Sequence, residues 1–145
     1  MLQELLTFPM DHERLREEFE FVIGYMISQR HTTCRILFGY AWGNDYYPGD
    51  RWDFESVSTA DVVALVSEVE SRGKEKLGSN DLFVEFPEWT FRFCNDSDIH
   101  MQFRELSPTV DFFRDRWERI GFRPAIWPVR DSQSGELSDE ADPAG

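Results

Sequence analysis

Apolar residues recur at helical spacing in three segments of this chain, with polar residues between them. Asp11 precedes the first segment, and Ser107 with Pro108 precedes the third, as residues that start helices do. The three stripes consist of Leu15, Phe19, Val22, Ile23 and Met26; of Val62, Leu65, Val66 and Val69; and of Val110, Phe113, Trp117 and Ile120. The spacing predicts three amphipathic helices that each bury one face.

Elsewhere apolar residues alternate with their neighbours, which is the pattern of strands with one buried face. The alternating positions are Cys34, Ile36, Phe38, Tyr40 and Trp42; Trp52 and Phe54; Leu82, Val84 and Phe86; Trp89, Phe91 and Phe93; and Ile99, Met101 and Phe103. We therefore expect an α+β fold of two layers. A mostly antiparallel sheet of about five strands has helices packed on one face, in the order α-β-β-α-β-β-β-α. The first ten residues are expected to form a short turn, and residues 123–128 are extended at most.

The alternation also predicts how the last two strands pair. Asn95, Asp96 and Ser97 fit a three-residue turn whose last position tolerates left-handed backbone. Opposite residues of an antiparallel pair lie on the same face, so this turn places Arg92 across from His100. Together with Glu85, these residues define a polar sheet face that is partly open.

The composition indicates one globular domain followed by an acidic tail. The chain has 145 residues, of which 15% are aromatic and 30% are charged, so it has both core residues and a charged surface. Residues 131–145 carry five acidic side chains and no basic one. We predict a single globular domain over residues 1–128 and an acidic disordered tail over residues 129–145.

The formal net charge is −13, and residues 1–130 alone carry 23 acidic against 15 basic side chains. Such a surface repels phosphate groups and anionic lipids and attracts cations. We therefore expect a basic protein partner, no nucleic acid and no membrane. No apolar run approaches the roughly 20 residues of a bilayer span, and no secretory signal follows Met1, so the expected location is cytoplasmic.

Candidate metal ligands occur close together in Asp96, Asp98 and His100, which follow a D-x-D-x-H spacing. Two carboxylates and an imidazole suit a divalent ion. However, Asp96 falls in the predicted turn and no second histidine is nearby, so we predict no metal site and no cofactor. The two cysteines, Cys34 and Cys94, are interpreted as small reduced core residues.

A catalytic patch is a further hypothesis for Glu85, Arg92 and His100, with the imidazole as general base and the guanidinium holding an anion. The simpler interpretation is a cross-strand charge pair on a solvated face. The sequence contains no GxSxG, no HExxH and no glycine-rich phosphate loop, so we do not predict an enzyme. A polar face of this kind is equally suited to docking a partner.

The segment between the first two predicted strands is rich in aromatic residues. Tyr46 and Tyr47 lie in its loop beside Asp45 and Asp50, where they cannot easily reach the core. Tyrosine is favoured at interface hot spots, so this loop suits a basic protein surface; it would also suit a sugar. The alternative is that both rings fold over the hairpin and shield its edge. The predicted binding residues are Asp45, Tyr46, Tyr47, Asp50, Glu85, Arg92 and His100.

In its small size, its acidity and its lack of a catalytic motif, this chain resembles bacterial immunity proteins, which inhibit cognate toxins. The resemblance is one of size and charge and covers no particular stretch of the chain. It implies a protein that binds and neutralises a basic toxin. Two alternatives stay open, a non-catalytic or regulatory subunit of a larger assembly and an enzyme or small-ligand binder that uses the polar sheet face. The partner's identity and the oligomeric state are not determined by the sequence.

Overall fold

The structure is a computed structural model that describes residues 1–40, 54–72 and 76–129. The elements in chain order are β1 (Gln3–Leu6), α1 (His12–Ser28), β2 (Thr33–Tyr40), β3 (Glu55–Ser58), a 3-10 turn (Thr59–Asp61), α2 (Val62–Ser71), β4 (Asp81–Glu85), β5 (Trp89–Phe93), β6 (Ile99–Phe103), α3 (Pro108–Arg119) and β7 (Ala125–Pro128). Within these residues the seven strands form one sheet in the order β3-β2-β4-β5-β6-β1-β7, and every neighbouring pair is antiparallel.

The predicted α+β fold is confirmed, but the predicted count of about five strands is too low. The two additional strands are β1 and β7, which lie side by side at one edge of the sheet. Each has only four residues, too few for alternation to be recognised. Strand β1 pairs with β6, so that Gln3 lies opposite Phe103, one hundred residues away along the chain. Such pairing is a tertiary contact and leaves no local pattern.

One hydrophobic core lies between the sheet and the three helices. The predicted helical stripes and alternate residues of the strands belong to the same cluster of buried side chains. Its largest fully buried members are Trp117, Phe19, Phe38, Phe91, Phe93, Phe103 and Phe113. Each contributes on the order of 2 kcal/mol by leaving water. The helices therefore cover one face of the sheet, and we call the opposite face, on which no described helix lies, the helix-free face.

Helix termini follow the capping signals of the sequence. Asp11 accepts a hydrogen bond from the Arg14 amide at 2.7 Å, and Ser107 accepts one from the Val110 amide at 3.3 Å. Helix α3 ends where Gly121 adopts a left-handed conformation with φ 87°. The boundaries of α1 and α3 are thus set by local side-chain and backbone chemistry.

The turn between β5 and β6 has the predicted geometry. Ser97 is left-handed with φ 70°, its amide donates to the Cys94 carbonyl at 2.9 Å, and the Cys94 amide donates to the Asp98 carbonyl at 2.9 Å. The turn brings Arg92 opposite His100, as predicted. It also brings Cys94 across from Asp98, and this second pairing builds the candidate site.

None of the described helices is both long and apolar enough to cross a lipid bilayer. The predicted acidic tail lies outside the described residues apart from Val129, whose amide donates to the Leu2 carbonyl at 2.9 Å. The tail's disorder therefore stays a prediction.

Candidate functional site

The helix-free face is divided into an apolar part and a charged part. On the apolar part Leu37 lies opposite Phe83 and is buried, and the Phe54 ring meets the Phe83 ring edge-on at 6.1 Å. The Arg35 guanidinium lies over the Phe54 ring at 5.0 Å. The expectation that Phe54 continues the buried face of β2 is therefore wrong, since it packs on the opposite side of the sheet.

The charged part lies at the β5–β6 end of the face and consists of five side chains: Glu4, Arg92, Cys94, Asp98 and His100, which we call the Cys94 cluster. Glu4 comes from β1, directly beside β6, while the others come from β5, β6 and the turn between them. Three chain segments of an antiparallel sheet thus place their ionisable groups on one surface.

His100 is held between two carboxylates. Its Nε2 lies 3.2 Å from Asp98 Oδ2 in a hydrogen bond, and its Nδ1 lies 2.9 Å from Glu4 Oε2 in an ion pair whose N–H direction is poorly aligned. Burial by itself would lower the pKa of His100, but its contacts with Asp98, Cys94 and Glu4 outweigh burial and raise the pKa to about 12. The ring is therefore an imidazolium at neutral pH in the metal-free chain.

Asp98 is the complementary partner of this imidazolium. Burial opposes its ionisation, but the contacts with His100, Asp96 and Cys94 together outweigh burial and lower the pKa of Asp98 to about 2. The residue is 8% exposed, and its second oxygen, Oδ1, is buried with no hydrogen-bond partner among the described residues. A buried carboxylate oxygen without a donor is unusual and requires an explanation.

Cys94 completes the cluster, with its sulfur 3.0 Å from Arg92 Nε. The residue is 2% exposed, and burial raises the pKa of its thiol even though His100 and Arg92 favour the thiolate. A neutral thiol beside an imidazolium is the reverse of what nucleophilic catalysis uses, which is a thiolate with a proton-accepting base. The metal-free cluster is therefore not prepared for that chemistry.

Of the predicted binding residues, three lie in the described part of the chain, and the structure brings two of them into the Cys94 cluster. Arg92 and His100 face each other in the cluster. Glu85 lies on the same face, two residues along β4 from Phe83, which is opposite Arg92. Its carboxylate forms an ion pair with Arg35 on the adjacent strand, so Glu85 shares the predicted polar face but has its own partner. The loop residues Asp45, Tyr46, Tyr47 and Asp50 lie outside the described residues, so their role stays a prediction.

A groove of about 1150 Å³ runs along the opposite end of the sheet, where β4 turns into β5. Its walls include Arg35, Glu85, Trp89, Gln102 and Leu106, and it is open to solvent. Its size is that of a ligand pocket, but its open shape offers room for a protein loop.

Sequence reasoning missed Glu4 and Cys94 as members of the cluster. Glu4 could not be found because β1 was not predicted. Cys94 could have been found, because it follows Phe91 and Phe93 in an alternating strand and so shares the face of Arg92. Cys94 was classified as a core residue because of its residue type, although its position, two residues after Arg92, placed it on the polar face.

Comparisons with models of known protein families, with curated proteins and with solved structures return no match for this chain.

Proposed function

We propose that this protein binds and neutralises a basic protein partner in the cytoplasm, in the manner of a bacterial immunity protein. The observation that carries the proposal is the charge of the folded part, because the described residues hold 19 acidic and 12 basic side chains. This excess of negative charge is independent of the acidic tail. It steers a basic partner and accelerates the encounter more than it tightens the complex.

The helix-free face supplies a surface on which such a partner could dock. No described helix covers it, and it has a rigid hydrogen-bonded frame of seven strands. The open groove lies at one end of this face and contains the Arg35–Glu85 ion pair in its wall. A basic side chain entering the groove would compete with Arg35 for the Glu85 carboxylate, which is 31% exposed.

The protonation states of the Cys94 cluster favour binding over catalysis. An imidazolium fixed between two carboxylates is a poor general base, and the neighbouring thiol is protonated. The proposal therefore assigns the protein no reaction of its own.

The test uses the purified basic partner, recovered from the native host with the full chain as bait. Replacing Glu85 by lysine should raise the Kd more than about tenfold, because a like charge placed at an interface costs several kcal/mol. The association rate should also fall steeply as salt is added. Isothermal titration and stopped-flow mixing measure these two quantities.

Glu68→Lys is the matched control. Glu68 is also an exposed carboxylate paired with an arginine, Arg72, but it lies on α2 in the helix layer. Both substitutions change the net charge by the same amount, so long-range attraction weakens equally and only the local contact differs. Equal losses for the two variants would place the interface elsewhere, and a partner that is not basic would overturn the proposal itself.

A subunit of a larger assembly is a second candidate, favoured by exposed apolar side chains. Trp127 is 59% exposed on the edge strand β7, and Leu106 is 59% exposed beside the groove. Exposed aromatic residues of this kind are enriched at interfaces. A stable, salt-insensitive complex that is lost in Trp127→Ala and retained in Glu85→Lys would favour this candidate.

A further inference from the structure

We propose that Cys94, Asp98 and His100 bind a divalent transition-metal ion of the zinc type, independently of the docking function proposed above. One donor atom from each residue lies within 4.8 Å of the other two. A tetrahedral ion with bonds of about 2.0 to 2.3 Å would draw these atoms together by small side-chain movements.

The local fold explains why three ligands come from seven consecutive residues. The turn residue Ser97 adopts φ 70°, which closes a three-residue turn and sets Cys94 across from Asp98. His100 follows Asp98 by two positions along β6, so both side chains project from the same face. The resulting spacing is C-x-x-x-D-x-H, and it needs no distant chain segment to assemble the ligands.

A second observation points to a cation at this place. Asp98 Oδ1 is buried and forms no well-aligned hydrogen bond with a described residue. Its unpaired state carries a desolvation penalty that a coordinated cation would remove. Asp96, the carboxylate selected by the D-x-D-x-H spacing, is exposed in the turn, so we replace it with Cys94 in the ligand set.

Glu4 has the position of an outer partner that orients the histidine ligand. It lies beside Nδ1 of His100, whereas Nε2 faces Asp98. A carboxylate on one ring nitrogen commonly fixes a metal-binding histidine so that the other nitrogen meets the ion. In this arrangement the ion would take the place of the proton on Nε2.

The charges of the cluster are compatible with a dication despite the nearby Arg92. Coordination requires a thiolate and a neutral imidazole, so the ion displaces one proton from Cys94 and one from His100. A dication that replaces two protons leaves the net charge of the cluster unchanged. Arg92 is already accommodated by the sulfur and by the surrounding carboxylates, and no new uncompensated charge is buried.

The mixture of donors selects the ion. Sulfur, nitrogen and oxygen donors suit zinc, whereas magnesium and calcium prefer oxygen alone. Since Cys94 is 2% exposed and Asp98 is 8% exposed, the ion would be shielded from bulk water, and the three residues would leave one tetrahedral position for a further ligand. The role of the site would be to fasten the β5–β6 turn and, through Glu4, the neighbouring strand β1.

The test uses the full chain without a polyhistidine tag, reduced and treated with a chelator. Titration with Zn²⁺ against a chromophoric chelator should give one tight site per chain that magnesium does not displace. Co²⁺ should produce a thiolate-to-metal charge-transfer band, which reports sulfur ligation directly. That band should be absent in Cys94→Ser and retained in Cys34→Ser, which alters the other buried cysteine.

Glu4→Gln tests the arrangement without removing a ligand. It should weaken Zn²⁺ binding about 10- to 100-fold, as the loss of an outer carboxylate does in known sites. If Cys94→Ser does not fold, the cobalt spectrum of the unaltered chain still decides the question. Absence of the charge-transfer band in that chain, or a zinc site that survives Cys94→Ser in a folded protein, would overturn the proposal.

Discussion

At the scale of single residues, the buried charges of this protein are held by multiple fixed partners. Glu18 is 2% exposed on α1, and its carboxylate accepts two hydrogen bonds from Arg116 and one from Trp117 Nε1 at 2.8 Å. The Arg116 guanidinium also lies 3.4 Å from the centre of the Phe21 ring. One acidic residue thereby joins α1 to α3, although its place in the sequence among Glu17 and Glu20 gives it no distinguishing mark.

We predict that Glu18→Ala destabilises the protein by about 3 kcal/mol or more, because it leaves a partly buried guanidinium and an indole N–H without their acceptor. Urea denaturation monitored by tryptophan fluorescence measures the loss. Glu17→Ala, on the exposed side of the same helix, should change the unfolding free energy by less than about 0.5 kcal/mol. Equal effects of the two substitutions would contradict a structural role for the Glu18 contacts.

The His100 contacts predict a pH dependence of the metal-free chain. The pKa of His100 rises from 6.5 to about 12 on folding, so its stabilising contribution is complete below pH 6.5 and is lost progressively above it. The pKa of Asp98 falls from 3.8 to about 2, so its contribution is present above pH 3.8 and is lost below it. The groups facing the ring are Glu4, Asp98, Cys94 and Arg92.

We therefore expect His100→Gln to cost the most stability between pH 3.8 and pH 6.5, in the presence of a chelator. The difference in unfolding free energy between the two chains should shrink as the pH rises above this window. Urea denaturation of both chains across the pH range measures it. A difference that stays constant or grows at alkaline pH would refute the assignment.

At the scale of elements, residues with left-handed backbone end helices and close turns. Gly121 terminates α3, and two backbone hydrogen bonds close the helix end. The Gly121 amide donates to the Glu118 carbonyl at 3.2 Å, and the Phe122 amide donates to the Trp117 carbonyl at 2.8 Å. Gly78 has φ 91° in the turn before β4. A Cβ atom at Gly121 would meet no atom within 4 Å, whereas one at Gly78 would lie 2.7 Å from the His12 ring.

These two glycines give a matched pair of substitutions. Gly121→Ala should destabilise the protein by about 1 to 2 kcal/mol, the cost of left-handed backbone in a residue with a side chain. Gly78→Ala should destabilise it more, because the clash with His12 adds to the backbone cost. In a His12→Ala background the effect of Gly78→Ala should approach that of Gly121→Ala. Urea denaturation of the four variants checks this, and an unchanged effect in that background would show that the clash is not responsible.

At the scale of the whole molecule, the negative charge of the described residues is distributed over both layers. Acidic side chains lie on the helices as well as on the sheet, and many are paired with arginines. Long-range steering follows from the total charge, whereas the position of a docked partner depends on local contacts. The comparison of Glu85→Lys with Glu68→Lys separates these two contributions, because both substitutions change the total charge equally and only Glu85→Lys alters a contact in the groove.

Most of the fold was predictable because helices and hairpins are encoded locally. The three helices and the register of β5 with β6 follow from spacing, caps and turn residues that interact within a few positions. The strands β1 and β7 were missed because their pairing joins opposite ends of the chain. Phe54 was placed on the wrong face because the register of a hairpin with a long loop is not set by alternation alone.

The candidate site was predictable only in part, for the same reason. Arg92 and His100 were placed together by parity, Asp98 was grouped with His100 by the D-x-D-x-H spacing, and Cys94 could have been added by parity. Glu4 could not, because its contact with His100 depends on β1 lying beside β6. The expectation of no metal and no cofactor stays a prediction, which the proposed zinc site would overturn.

The sequence by itself determined the α+β class, the three helices, the β5–β6 turn and the acidity, because each depends on residues that are neighbours in the chain or on composition alone. Only the tertiary structure decided which ionisable groups meet. The strand β1 brought a carboxylate to His100, and packing gave Glu85 a partner on another strand. Contacts between distant segments depend on the packing of the whole sheet, and no local pattern specifies them.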